Sequence, residues 1–313
     1  MSYPRLPFVI LPWTRREGPG WGLLFKLFGV SVPIGSTRWK DAPTRVVRGK
    51  THGYLMELNL SDWSERMTYF LGRYFELPQE IIIGRLVLPG DRVVDVGGNI
   101  GMITLMAARA VGKSGVVQTF EPNPDCRSRI AATLQSNRID WVDLIPFGLS
   151  DQAAQLELSI TNGTACVGTF AKIEPQYETT VSKRMTLQVI PGDDVLLKDP
   201  RPVKLMKMDV EGFETRAITG LGKTIERDHP VMVVETVDVQ LRRAGSSAQE
   251  LVDLMRSKGY TGYAVGLRKT WLKHTLSLRP LKAAVETQSE VDTLWLHPSG
   301  PSIQRSLESY VVK

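Results

Sequence analysis

Asp95-Val96-Gly97-Gly98-Asn99-Ile100-Gly101 follows the apolar run Val93-Val94 and precedes Met102-Ile103-Thr104-Leu105-Met106, so an acid-tipped glycine turn joins a strand to a helix. Gly97, Gly98 and Gly101 put no Cβ in the way of a ligand approaching the backbone. The spacing argues against a dinucleotide fold. A GxGxxG run opens a helix N-terminus to a pyrophosphate, whereas here a carboxylate, Asp95, stands at the strand tip. An acid at that point repels phosphate and favours a ligand with positively charged groups.

Outward from this turn, strand-like and helix-like segments alternate. Strands are predicted at 92–96, 115–120, 142–146, 203–208, 231–235, 262–265 and 292–297, with helices over 101–111, 124–137, 214–227 and 248–258. Such alternation produces parallel strands with crossover helices, the doubly wound α/β plan. Segments 155–160 and 185–190 read as an added β pair around a polar loop. The stretch 267–281, with Arg268, Lys269, Lys273, His274 and Arg279, reads as an insertion that is either a lid or a solvated face. Upstream, residues 1–60 are rich in Pro, Gly and Arg with little periodicity. A helix then begins, with Ser61 as N-cap and Trp63, Met67, Phe70 and Leu71 at helical spacing. The apolar segment 81–88 ends at the turn Pro89-Gly90-Asp91. The expected division is an arm and cap over 1–75, a main domain over 76–300 and a tail over 301–313.

The 313 residues are 42% hydrophobic and 23% charged, enough for one large core and ordinary for a globular chain. The net charge of +6 suits acidic partners, but so small an excess is common on enzymes. Cys126 and Cys166 stand far apart without metal-ligand spacing, so neither a disulfide nor a zinc site is expected, and a reducing cytoplasm is the expected location. No secretory apolar region opens the chain. Segment 21–30 is interrupted by Lys26 and too short to span a bilayer. Its face of Trp21, Leu24, Phe25 and Phe28 is expected to pack on the main domain, with a peripheral membrane contact as the alternative. Gly112-Lys113-Ser114 imitates a P-loop end but closes a helix instead of opening one. The sequons Asn59-Leu60-Ser61 and Asn162-Gly163-Thr164 mean little without a secretory signal. His52 and His274 are candidate bases, with solvent-facing imidazoles the expected reading. No Gly-x-Ser-x-Gly elbow appears, which argues against a hydrolase.

In an open parallel sheet, ligands bind beyond the carboxyl ends of the strands. After the second strand comes Glu121, twenty-six residues beyond Asp95, where a carboxylate accepts hydrogen bonds from ribose hydroxyls. After the third, Phe147-Gly148-Leu149-Ser150-Asp151 offers an apolar wall for an adenine. The fourth ends in Lys207-Met208-Asp209-Val210-Glu211-Gly212-Phe213-Glu214. Asp209 there is placed to take or orient an acceptor proton. Glu211 and Glu214 also suit a helix N-terminus. A hard cation on Asp209, Glu211 and Glu235 is a further reading, not the favoured one, and no metal ligand is assigned.

Taken in order, Asp95 to Gly101, Phe120-Glu121-Pro122, Leu149-Ser150-Asp151 and Lys207-Met208-Asp209-Val210-Glu211-Gly212 resemble the FkbM family of methyltransferases, over roughly 61–297. The resemblance implies a class I methyltransferase fold, a Rossmann-like, mostly parallel seven-stranded sheet with helices on both faces. It also implies S-adenosylmethionine as donor and a hydroxyl on a sugar or other small metabolite as acceptor. By the same resemblance Glu76, in Tyr74-Phe75-Glu76, helps close the cofactor site. The cofactor set is then Glu76, Asp95, Gly97, Asn99, Gly101, Glu121, Ser150 and Asp209, and the catalytic set Lys207, Asp209 and Glu211. Gly98 stands where the family commonly has alanine, and the N-terminal arm has no counterpart. Two alternatives remain. One is a methyltransferase acting on RNA or protein, for which no aromatic and basic stripe is visible. The other is a nicotinamide-dependent oxidoreductase or nucleotide-binding module, opposed by Asp95 and the glycine spacing.

Overall fold

The strand that enters the glycine turn, β3 (Arg92–Val96), is buried along its whole length, as a strand covered on both faces must be. A computed structural model describes residues 3–32, 37–161, 168–173, 179–269, 274–281 and 291–312. Parallel to β3 run β4 (Val116–Phe120) and then β5 (Val142–Ile145) on one side, and β10 (Val203–Met208) and then β11 (Val231–Thr236) on the other. Beyond β11 the antiparallel strands β14 (Val291–Leu296), β12 (Thr261–Lys269) and β13 (His274–Pro280) complete the sheet, in the order β13-β12-β14-β11-β10-β3-β4-β5. Chain direction along the sheet reverses between β3 and β10, so the switch-point crevice opens at the tips of those two strands.

All seven expected strands form, and an eighth joins them. The segment expected as an insertion is not a lid: β12 runs on to Lys269, and β13 pairs with it from Pro280 to His274. Leu276 and Leu278 are buried and Arg279 is exposed, the alternation of a half-covered strand. Lys273 lies outside the described residues.

Crossover helices cover the sheet. They are α6 (Met102–Val111) after β3, α7 (Pro124–Ser136) after β4, and α12 (Ala248–Ser257) between β11 and β12. The single helix expected over 214–227 is two, α9 (Glu214–Thr219) and α10 (Gly222–Asp228). The break falls at Gly220, where a Cβ would lie 2.0 Å from the Ser150 carbonyl oxygen. Short helices α8 (Asp193–Leu196) and α11 (Asp238–Arg243) precede β10 and follow β11. The predicted β pair belongs to a second sheet, in which β6 (Gly148–Leu149), β9 (Val181–Ile190), β7 (Ala154–Thr161) and β8 (Gly168–Thr169) are neighbours in that order.

The N-terminal segment is more structured than its composition suggests. It holds α1 (Leu6–Val9), α2 (Leu11–Arg15), α3 (Trp21–Leu27) and a hairpin of β1 (Thr44–Arg48) with β2 (Leu55–Asn59). Phe25, Val30 and Trp39 pack into one apolar cluster with Phe70 of α4 (Trp63–Leu71) and Ile82 of α5 (Leu77–Leu86). Buried Arg66 ties the segment down by donating to the Val30, Val32 and Leu60 carbonyls while its guanidinium lies over Trp39. The N-cap of α4 is Asp62, not Ser61. Its Oδ1 accepts from the Ser64 and Glu65 N–H groups at 2.8 and 3.2 Å.

Two further expectations change. Cys126, buried on α7, is disulfide-bonded, so the absence of a disulfide inferred from spacing is overturned, and the thiol argument for a reducing compartment goes with it. Cys166 and the sequon Asn162-Gly163-Thr164 lie outside the described residues. His52 is buried rather than solvent-facing. Its Nδ1 accepts from the Tyr54 N–H, and burial pushes its pKa down to about 4. It lines a separate hollow with Thr51, Glu80 and Arg109, away from the strand tips. His274 is half-buried on β13.

Candidate active site

At the tip of β3, Gly97 has φ +87°, and a Cβ there would lie 1.9 Å from the Asp209 carbonyl oxygen. Only glycine permits the β3 and β10 tips to come this close. Asp95, two residues earlier on β3, is buried. Its Oδ2 accepts from Thr104 Oγ at 2.6 Å, while Oδ1 has no partner among the described residues. Burial pushes the Asp95 carboxyl up to about 7. The turn is anchored to the next strand end: Glu121 accepts from the Asn99 N–H at 2.7 Å and the Asn123 N–H at 2.8 Å. Burial outweighs these donors and raises the Glu121 carboxyl to about 7 as well.

Two clefts meet here. The first is walled by Phe147, Leu149, Phe170 and Phe213, with Glu121 and Asn123 as its polar end. The second, about 300 Å³, is lined by Trp63, Tyr74, Phe75, Glu76, Asp95, Lys207, Glu235 and Gln240. Gly97, Asn99, Asp209 and Glu211 line both, so they form the junction.

The second cleft is a ring of acids around one buried cation. Lys207 Nζ lies 3.4 Å from Asp209 Oδ2 and 3.9 Å from Asp292 Oδ1. Burial opposes its charge, but Asp209, Asp292, Glu235 and Glu76 together outweigh that and hold the ammonium firmly protonated. Burial, reinforced by Asp292, raises Glu76 to about 7. Burial and then Asp209 push Glu235 well above the carboxylate range, and its Oε2 has no partner. Glu211, held at φ +52°, accepts from Gln240 Nε2 at 2.6 Å. Glu214 faces away from both clefts. Its Oε1 accepts from the Val210 and Gly212 N–H groups, so the helix-terminus reading applies to Glu214 while Glu211 lines the junction.

The sequence-derived set is thus gathered, with two members left aside. Gly101 starts α6 against Ile130, and Ser150 is buried behind the apolar wall, its Oγ on Asp151 and its N–H on the Ile190 carbonyl. Neither lines a cleft; Gly148 and Leu149 do so in place of Ser150. Among the described residues no group of three or more His, Cys, Asp or Glu is arranged to hold a metal ion. The acids Asp209, Glu211 and Glu235 face Lys207 and Gln240 instead.

Sequence reasoning missed Asp292, Gln79 and Tyr74. Gln79 Nε2 donates to Glu76 Oε2 at 2.9 Å and Asp292 Oδ2 at 2.8 Å, and Tyr74 bonds to Glu76. Asp292 opens an antiparallel strand and pairs in register with Glu235, so its first residues, not its last, reach the ligand edge. Reading strand directions from the hairpin-forming pattern would have found it.

Replacing Glu121 with alanine removes a carboxylate that holds the Asn99 turn. We expect about ten- to a hundredfold weaker cofactor binding with turnover at saturation largely kept, the scale of a hydrogen bond to a charged group. Calorimetric titration checks this, and unchanged affinity refutes a ligand role for Glu121.

Residues 95–261, over half of the chain, match the model of the Methyltransferase FkbM domain. A protein named Methyltransferase 1 from Beauveria bassiana (strain ARSEF 2860) is 26% identical over 185 residues, covering 54% of this chain and 71% of that protein. Similar solved structures include a methyltransferase FkbM from Methylobacillus flagellatus KT, at 14% identity and TM-score 0.39 over 75% of this chain. The chain spans only 55% of that protein's length. Another is the O-methyltransferase TomG from Streptomyces achromogenes, solved with S-adenosylmethionine, at 13% identity and TM-score 0.38, over 71% of this chain and 78% of that one. On the domain match and the α/β sheet that carries it, the chain belongs to the FkbM family of S-adenosylmethionine-dependent methyltransferases.

Proposed function

We propose that the chain methylates a hydroxyl group on a sugar or other small metabolite. The observation that carries this reading is the junction at Gly97, Asn99, Asp209 and Glu211, between an apolar cleft with one carboxylate and an acid-lined cleft with aromatic walls. The residues present fit the donor. Asp95 Oδ1, without a partner among the described residues, can accept from an ammonium group; Glu121, already accepting from two N–H groups, keeps lone pairs for ribose hydroxyls; and Phe147 and Phe170 offer faces to a planar base. S-adenosylmethionine, when bound, supplies a methyl group on a sulfonium, an electrophile needing alignment with its acceptor.

The chain's own residues account for the rest. Asp209, at the junction, accepts the proton of an acceptor hydroxyl, and Lys207 holds its carboxylate in place at 3.4 Å. Glu76, Glu211 and Gln240 offer hydrogen-bond partners to a polyhydroxyl molecule, and Trp63 and Tyr74 give its ring an apolar face. The acid lining disfavours a phosphate backbone, which argues against RNA as acceptor.

The test is direct. Calorimetry should find saturable binding of S-adenosylmethionine and of its homocysteine product, and mass spectrometry should find label transferred from the donor to a hydroxylated metabolite. Tight NAD binding with no response to either compound overturns the proposal. A pH dependence follows from Asp95. Its carboxyl, at about 7 in the free protein, must lose its proton to meet an ammonium group. Affinity for the donor should therefore rise with pH up to about 7 and fall by about tenfold per unit below it. A flat profile between about pH 6 and pH 8 removes Asp95 from contact with the ligand.

A further inference from the structure

We propose that the outer face of the N-terminal helices α1 to α3 docks on an anionic lipid bilayer. The face expected to be apolar is turned inward: Phe25 is fully buried, and Trp21 and Phe28 pack on the same core. Thr14 Oγ bonds to the Phe70 carbonyl, which fixes α2 against α4. What remains outside is a second apolar set. Leu6, Val9 and Trp13 follow helical spacing along α1 and α2, and Leu23 and Leu27 lie one turn apart on α3. Val9 is 75% exposed and Leu23 72%, and these five residues are nearly half of the large exposed hydrophobic side chains described. Concentration of that kind in one short segment marks an interaction surface.

Charge identifies the occupant. Arg5, Arg16 and Lys26 are exposed and stand within three residues of members of the apolar set along the chain. Glu17, the one acid among residues 3–32, is held by Lys50 at 2.6 Å and Arg73 at 2.7 Å. The segment therefore exposes apolar and cationic side chains while its one acid is ion-paired, the pattern of helices lying in a bilayer interface, with a tryptophan suited to the headgroup layer. A second copy would set like charges against each other, and a nucleic acid would leave five aliphatic and aromatic side chains without a partner. An anionic lipid surface satisfies both components at once. The segment packs on α4, whose Trp63, Ser64 and Thr68 line the acid-lined cleft, so docking would take place on the cap that walls that cleft.

Flotation of the full chain with phosphatidylcholine vesicles, with and without phosphatidylglycerol, tests the proposal. Binding is expected only with phosphatidylglycerol, and it should weaken with salt. Arg16→Glu and Lys26→Glu should each reduce it by about fivefold or more. Leu23→Asp with Leu27→Asp should abolish it while binding of the homocysteine product stays unchanged, which shows that the fold is intact. No flotation of the wild-type chain, or flotation indifferent to the Asp pair, overturns the proposal. So does self-association in solution that the Asp pair disrupts without any lipid binding. Product binding that persists while flotation fails removes the membrane surface and leaves the methyltransferase reading untouched.

Discussion

Replacing Lys207 with methionine should destabilise the chain by about 3–5 kcal/mol at about pH 8 and by clearly less at about pH 6. The side chain is buried and its ammonium faces Asp209, Asp292, Glu235 and Glu76. Methionine fills similar space but leaves those carboxyls without their counter-charge. The sign follows from Glu76. Burial and Asp292 raise its folded pKa to about 7, so the stability it contributes is complete below its unfolded value of 4.5 and is lost as pH rises through about 7. Lys207 offsets that loss. Without it, the remaining acids must stay charged and unpaired or take up protons, and the proton uptake that relieves them becomes more costly as pH rises. Urea unfolding of both chains at the two pH values measures the difference. Equal destabilisation at both, or none at either, would refute this account of the ring.

Replacing Asp209 with asparagine is expected to lower turnover about 10²- to 10⁴-fold, with affinity for the homocysteine product changed only a few-fold. The shape is kept, and the backbone N–H of residue 209 still bonds to the Val96 carbonyl at 3.0 Å, so the β10 tip should not move. What is lost is a proton acceptor at the junction of the two clefts. Single-turnover kinetics with saturating donor isolates the chemical step. A normal rate there removes Asp209 from proton transfer and leaves it as a partner of Lys207.

The groups at the β3 and β4 tips were the more legible half because they depend on local chemistry. Gly97 is required by its own φ and by the approach of Asp209, and Glu121 follows directly from the β4 tip. Residues whose position depends on distant parts of the chain were harder. Asp292 reaches Lys207 because β14 is antiparallel, and Ser150 misses the clefts because β6 pairs with β9 and its hydroxyl turns toward Asp151. The choice of Asp62 over Ser61 as N-cap turned on one residue of register between two equally suitable types. Cys126, disulfide-bonded where spacing gave no hint of it, shows that cysteine spacing in the sequence does not report pairing in the fold. The N-terminal helices were obscured by their shortness, since α1 and α2 span only four and five residues.

The amide of Gln79, which also bonds to Glu76, reaches Asp292 across 213 positions of sequence. On a ribosome these two ends become available far apart in time. Asp95, Glu121 and Asp209 have all been translated well before Asp292, so a nascent chain carries these groups while the ring around Lys207 still lacks one of its acids. Vectorial synthesis therefore sets an order of assembly in which the acid ring around Lys207 is completed late, by a strand that lies beyond the matched domain boundary at residue 261.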